Sequence, residues 1–240
     1  MTVTEIVAQL EKLGTDSTRR ILMNHGARDP VFGVKIADLK ILQKQIKTDY
    51  QLALDLYDTG NYDAQYLAGL IADENRMTKT DLRRWLSKAN CITHCGTVVA
   101  AVTAESRYGI ELAREWIAAR QEAKAQTGWT TLSNLVSIKD DAELDLTELD
   151  LTELKRLLKQ VTQTIHEQPN MVRYAMNGFV ISTGCYVNSL TDAALRAAEK
   201  IGTVSVDMGQ TACKVPAAVD YIHKVQQRGT IGKKRKTARC

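Results

Sequence analysis

GVKIADLKILQKQIKTDYQLALDLYDTGNYDAQYLAGLIAD, residues 33–73, sets out three helices and the turns between them. The first amphipathic run covers Val34–Lys47, and a second follows Asp49. A tight Thr59-Gly60-Asn61 turn then leads into a third, where Ala64, Leu67, Ala68 and Ile71 recur at three- and four-residue steps. That spacing builds one face to pack on a neighbouring helix.

The same pattern continues outward in both directions. Helices over Thr4–Leu13 and Asp16–Asn24 precede a loop broken by Gly26 and Asp29-Pro30. Beyond residue 73, Thr78-x-x-Asp81 signals a capped helix start before Ile92–Ala104. The spacing then predicts helices over Ile110–Ala119, Glu122–Val136, Leu151–Gln168, Met171–Thr183, Leu190–Ile201 and Pro216–Arg228. A helix hairpin about every 40 residues is close to the period of HEAT-type arrays. The hairpins share little sequence with one another, so periodicity alone leaves an array and an ordinary helical bundle equally open.

Composition narrows the class. Three prolines in 240 residues leave long helices intact, and Gly202–Met208 (GTVSVDM) is the best strand candidate. No run reaches the roughly 18 apolar residues of a membrane span. Five cysteines without framework spacing suit reduced thiols in a cytoplasm. No boundary divides residues 1–230, which are expected to form one domain followed by a basic tail, 231–240. The net charge of +4 combines +7 in Tyr221–Cys240 with −3 in the other 220 residues. LDLTE occurs twice, at 144–148 and 149–153, a local duplication within an acidic loop, and Asp150-x-x-Glu153 is a capping signal for the next helix.

Three segments of the opening stretch, Gly33–Lys40 (GVKIADLK), Gly60–Ala64 (GNYDA) and Ile71–Asp73 (IAD), resemble the DNA alkylation repair family, the HEAT-like-repeat alkylpurine DNA glycosylases. The likeness extends to Val172-Arg173-x-Ala175-Met176-Asn177 and to the loop Asp207–Pro216, where Met208 stands in place of the usual His. It implies an all-α fold of HEAT-like repeats stacked into a curved α–α superhelix, with DNA held on the concave face. It also implies a bacterial type of protein, and hydrolytic chemistry that needs no cofactor.

Excising members of the family use one Asp and two Trp side chains around the damaged nucleotide. An alkylated purine is already a good leaving group, so the demand is for a carboxylate that stabilises the cationic sugar and orients water. Indole faces hold the cationic base. Aligning Cys95-Gly96-Thr97-Val98 with the family's Cys-Asp-Thr-Val places Gly96 at the Asp position and Ile92 at the first Trp. The second Trp position falls on Ala123. Trp129, six residues on, is the available substitute, although it sits where the family has a core aromatic. No Asp or Glu lies between Asp81 and Glu105, so a slip of register does not restore the acid.

Cys91, His94 and Cys95 (CITHC) invite a zinc reading. His94 is offset by about 100° from Cys95 on a helix, however, and no second ligand pair follows. No metal is expected, and Cys240 is not placed for prenylation.

The resemblance and the charge together point to DNA as partner. Arg173 begins a concave-face helix, and its planar donor fork suits a phosphate. Lys214 precedes the last helix, and Lys233, Lys234, Arg235, Lys236 and Arg239 have the composition of a flexible basic arm. With no interleaving of aromatic and basic residues, the expectation is backbone contact to duplex or branched DNA without base excision. Two rivals remain. One is an active glycosylase that uses Trp129 and a relocated acid, Glu105 or Glu122; the other is a protein-binding helical scaffold.

Overall fold

The computed structural model describes residues 1–145 and 147–239. Leu146, within the first LDLTE copy, and Cys240 lie outside the described residues. The described residues are all-α, with HEAT-like helical hairpins and no strand among them. They group into two compact units, one comprising residues 1–108, 209–212 and 239, the other residues 109–208 and 213–238.

The first unit contains α1 (Val3–Leu13), α2 (Asp16–Asn24), α3 (Ile36–Ile46), α4 (Tyr50–Asp58), α5 (Tyr62–Ile71), α6 (Lys79–Lys88), α7 (Ile92–His94) and α8 (Ala100–Glu105). A turn of π-helix, Cys95–Val99, joins α7 to α8. Helix starts are written in side chains. Thr2 and Glu5 form a capping box on α1, as Thr78 and Asp81 do on α6. Asn61 Oδ1 accepts from Ala64 N at 2.9 Å to begin α5. The sequence predicts one packing face for α5. In fact every residue of this helix except Tyr66 is buried, because α1, α3, α4 and the π turn all pack against it.

The second unit contains α9 (Gly109–Ile117), α10 (Glu122–Ile138), α11 (Asp141–Asp145), α12 (Leu151–Thr164), α13 (Asn170–Tyr186), α14 (Thr191–Ile201) and α15 (Ala218–Gln227). Its centre is the pair α10 and α13, with α9 against α10, and α12, α14 and α15 around α13. Asp150 caps α12 by accepting from Glu153 N at 2.8 Å, while the Glu153 carboxylate turns to Arg156. The acidic stretch expected as a loop contains the short helix α11. The strand expected at Gly202–Met208 is absent: an extended segment needs a second strand to ladder with, and instead Asn170 takes both backbone groups of Asp207, each at 2.7 Å.

Gly128 shows how closely α9 and α10 approach. A Cβ there would lie 2.6 Å from Ile117 N and 2.9 Å from Ala113 O, backbone atoms that cannot swing aside. Gly178, on α13, meets nothing within 4 Å. Gly128→Ala is therefore expected to destabilise by about 1–3 kcal/mol through overpacking. Gly178→Ala should stabilise by about 0.5–1 kcal/mol through helix propensity. Urea midpoints for the two variants check this; equal shifts of the same sign would contradict it.

Candidate functional site

Ile92 opens α7, and Gly96 is the second residue of the π turn; both are partly exposed. Beside them, Tyr66, Gly69, Leu70, Thr97, Val98 and Arg239 line a cleft of about 10 Å³. That is room for about one water, far from the volume of a base. Gly69 permits the close packing here, since a Cβ on it would sit 2.6 Å from Val98 Cγ1.

Glu105 and Glu122, the acids offered as a relocated carboxylate, are both engaged elsewhere. Glu105 is ion-paired with Arg239, whose guanidinium also pairs with Glu74 and donates to Ala72 O at 2.7 Å. Glu122, in the second unit, accepts from Met171 N at 2.7 Å and so caps the first turn of α13. Ala123 follows it, partly exposed. Trp129 is 2% exposed and tilted against Phe179, with ring centroids 5.4 Å apart. An indole closed off in this way has no face to offer a ligand.

CITHC is a packing element. His94 is fully buried, stacked on Tyr62 at 3.9 Å between ring centroids, with Nδ1 3.3 Å from Gln65 Oε1. Gln65 Nε2 donates to Tyr57 O and Lys88 O, which leaves Oε1 as the acceptor and puts the histidine proton on Nδ1. Nε2 has no hydrogen-bond partner among the described residues. Burial lowers the His94 pKa to about 3. The described residues hold no cluster of ligand-type side chains suited to a metal ion.

The cations expected to meet phosphate fall into two groups. Arg173 is half-buried at the start of α13; Nη2 donates to Asn170 Oδ1 at 3.2 Å and Nε has no hydrogen-bond partner among the described residues. It makes no ion pair among the described residues. Lys214, Lys233 and Lys236 are exposed, and Arg235 Nη2 reaches Ala238 O at 3.4 Å.

Lys234 and Arg239, by contrast, are already neutralised. Lys234 Nζ donates to Val136 O at 3.0 Å and to Asp141 Oδ1 at 2.7 Å. Gly232 N and Arg235 N donate to Cys185 O and Ser137 O. The tail is thus no free arm. The last carbonyls of α10 and α13 have no partners within their helices, and basic residues suit the negative ends of helix dipoles. The tail meets both needs. Arg239 does the same for Ala72 O, just beyond α5.

One buried constellation escaped the sequence reading. Asp63, 1% exposed, accepts from Phe32 N at 2.7 Å, Gly33 N at 3.2 Å and Val34 N at 2.8 Å. The GNYDA acid therefore clasps the GVK backbone. Gly33 has φ +84°, and a Cβ there would lie 2.4 Å from Arg19 N, so this position requires glycine. The two motifs lie 20 to 30 residues apart in the chain, and nothing in their spacing reveals that one binds the other.

The sequence pattern of the family described as "DNA alkylation repair enzyme" matches residues 6–213. Lin0241 of Listeria innocua and Lmo0209 of Listeria monocytogenes are each 29% identical over 233 residues, 95% of this chain and 99% of theirs. A solved structure described as "A new family of proteins related to the HEAT-like repeat DNA glycosylases with affinity for branched DNA structures" is 34% identical. It superposes with a TM-score of 0.90 over 100% of both chains.

Proposed function

Because this chain belongs to the DNA alkylation repair family, we propose that it grips the backbone of branched or duplex DNA without excising bases. The observation that carries this reading is the full-length likeness to the protein described as having affinity for branched DNA. Three features support the absence of excision. Glycine stands where the family's carboxylate belongs, Glu105 and Glu122 serve as structural partners, and Trp129 is buried. Glycine can neither stabilise a cationic sugar nor activate water.

Arg173, Lys214, Lys233, Arg235 and Lys236 are the proposed phosphate contacts. Lys234 and Arg239 drop out of the set because Asp141, Glu74 and Glu105 already neutralise them. A cytoplasmic location fits the reading, since Cys91 and Cys185 are free thiols.

Titration against a four-way junction at several salt concentrations tests the proposal. Log affinity should fall linearly with log salt. Replacing Lys233 and Lys236 together by Gln should reduce the slope by about 2, at roughly 0.9 per lost phosphate contact. No binding at low salt, or binding indifferent to salt, would sink the reading. In parallel, alkylated duplex incubated with the protein should release 3- and 7-methylpurine no faster than duplex alone; faster release would establish the glycosylase instead.

A further inference from the structure

The second unit carries a second cationic surface, in whose lining Arg173, Lys214 and the tail residues take no part. Lys155 and Lys159 stand one turn apart on α12, and Arg196 and Lys200 stand one turn apart on α14. The four line the two walls of an open groove of about 290 Å³ whose floor includes Leu158 and Ala197. No carboxylate lines it, and none of the four cations makes an ion pair among the described residues. Glu153, the acid nearest in sequence on α12, is taken by Arg156, whose hydrogen bond holds its carboxyl below the usual range.

This arrangement works against the folded state. Like charges at i and i+4 on a helix repel, and here two such pairs face each other across one groove. Exposed cations elsewhere on the chain have found acids, as Arg84 and Lys88 have in Asp58. Asp192 and Glu199 also stand on α14 but do not line the groove, and four cations on one small groove with no carboxylate in its lining mark a surface whose anion comes from outside.

We propose that the groove between α12 and α14 holds a stretch of nucleic-acid backbone, a second strand or arm beyond the one gripped by the primary contacts. Cations one turn apart are separated by about 6 Å along the helix axis, close to the step between neighbouring phosphates on a strand. The apolar floor suits sugar faces, and with no aromatic lining the groove reads no base. An acidic peptide would need specific side-chain partners, and besides the four cations the groove offers only Leu158, Thr162, Gln163, Ala193 and Ala197. The inference rests on the reading that this protein binds DNA, and it explains how such a protein would favour branched over linear DNA.

The test compares wild type, a quadruple variant (Lys155→Gln, Lys159→Gln, Arg196→Gln, Lys200→Gln) and a control carrying Lys12→Gln and Arg20→Gln, two exposed cations elsewhere. Each is titrated with a four-way junction and with a duplex of the same arm sequence. All six positions are exposed, and circular dichroism confirms that each variant folds. The quadruple variant should lose junction affinity by about tenfold or more at moderate salt, with the log–log slope reduced by at least about 2. Its duplex affinity should stay within about threefold of the control. A quadruple variant matching the control on the junction would overturn the groove while leaving DNA binding intact. Wild type that binds neither DNA would overturn the primary reading, and the groove with it.

Discussion

Asp63→Ala is expected to lower the unfolding free energy by at least about 3 kcal/mol. Three backbone amides, Phe32 N, Gly33 N and Val34 N, donate to this one carboxylate in a site almost closed to water. Hydrogen bonds to a charged group contribute about 1.5–3 kcal/mol each, and each buried donor left without an acceptor costs about 1–3 kcal/mol. Contributions at one site are not additive, so the lower bound is the useful figure. Other contacts hold the segment ahead of α3 as well, Thr15 N donating to Gly33 O at 3.0 Å, Arg19 Nε to Val31 O at 3.1 Å and Tyr62 N to Pro30 O at 2.9 Å, with Val31 and Val34 buried, so the damage should stay local to residues 32–34. Asp63→Asn keeps the volume but points an NH₂ group at an N–H, so most of the loss should remain. Urea unfolding of both variants is the measurement. A change below about 1 kcal/mol for Asp63→Ala would show that the clasp is not what holds this loop.

Acid should weaken the fold through His94. In the folded chain its pKa is about 3, lowered by burial; in the unfolded chain it should lie near the ordinary value of about 6.5. Between those values the unfolded chain binds a proton that the folded chain refuses. The stabilisation is therefore complete above about pH 6.5 and is lost as the pH falls toward 3. One proton's difference amounts to about 1.4 kcal/mol per pH unit. The structural cause is plain: protonation would place an N–H at Nε2, which has no hydrogen-bond partner among the described residues. His94→Gln removes the titration, whatever it costs in stacking on Tyr62. Unfolding free energies at pH 7, 6, 5 and 4 should fall less steeply for this variant than for wild type, by about one proton. Parallel curves would assign the acid sensitivity to other groups.

Much of the architecture was legible because helices declare themselves locally. The Thr78 and Asp81 box, the Asn61 turn and the three- and four-residue apolar steps act within a few residues of one another, and the structure has helices at each of those places. The GTVSVDM segment misled for the opposite reason. A strand depends on a partner, and whether one exists is not a property of seven residues. The absence of an acid from 82 to 104 is a plain fact of the chain, but that Glu105 and Glu122 are already occupied is visible only in space.

The amino-acid order alone determined the helical class and the likeness to the alkylation repair family, since each depends on residue identity and short-range spacing. Only the folded molecule decided which charges are free. Lys234 and Arg239 look like the strongest phosphate contacts in the tail, yet they end on helix carbonyls and acids 93 to 167 residues away in sequence. Lys155, Lys159, Arg196 and Lys200 look like ordinary solvated charges until α12 and α14 bring them to one groove. Electrostatic pairing acts over a few ångströms of space, and the separation of residues along a chain does not report that distance.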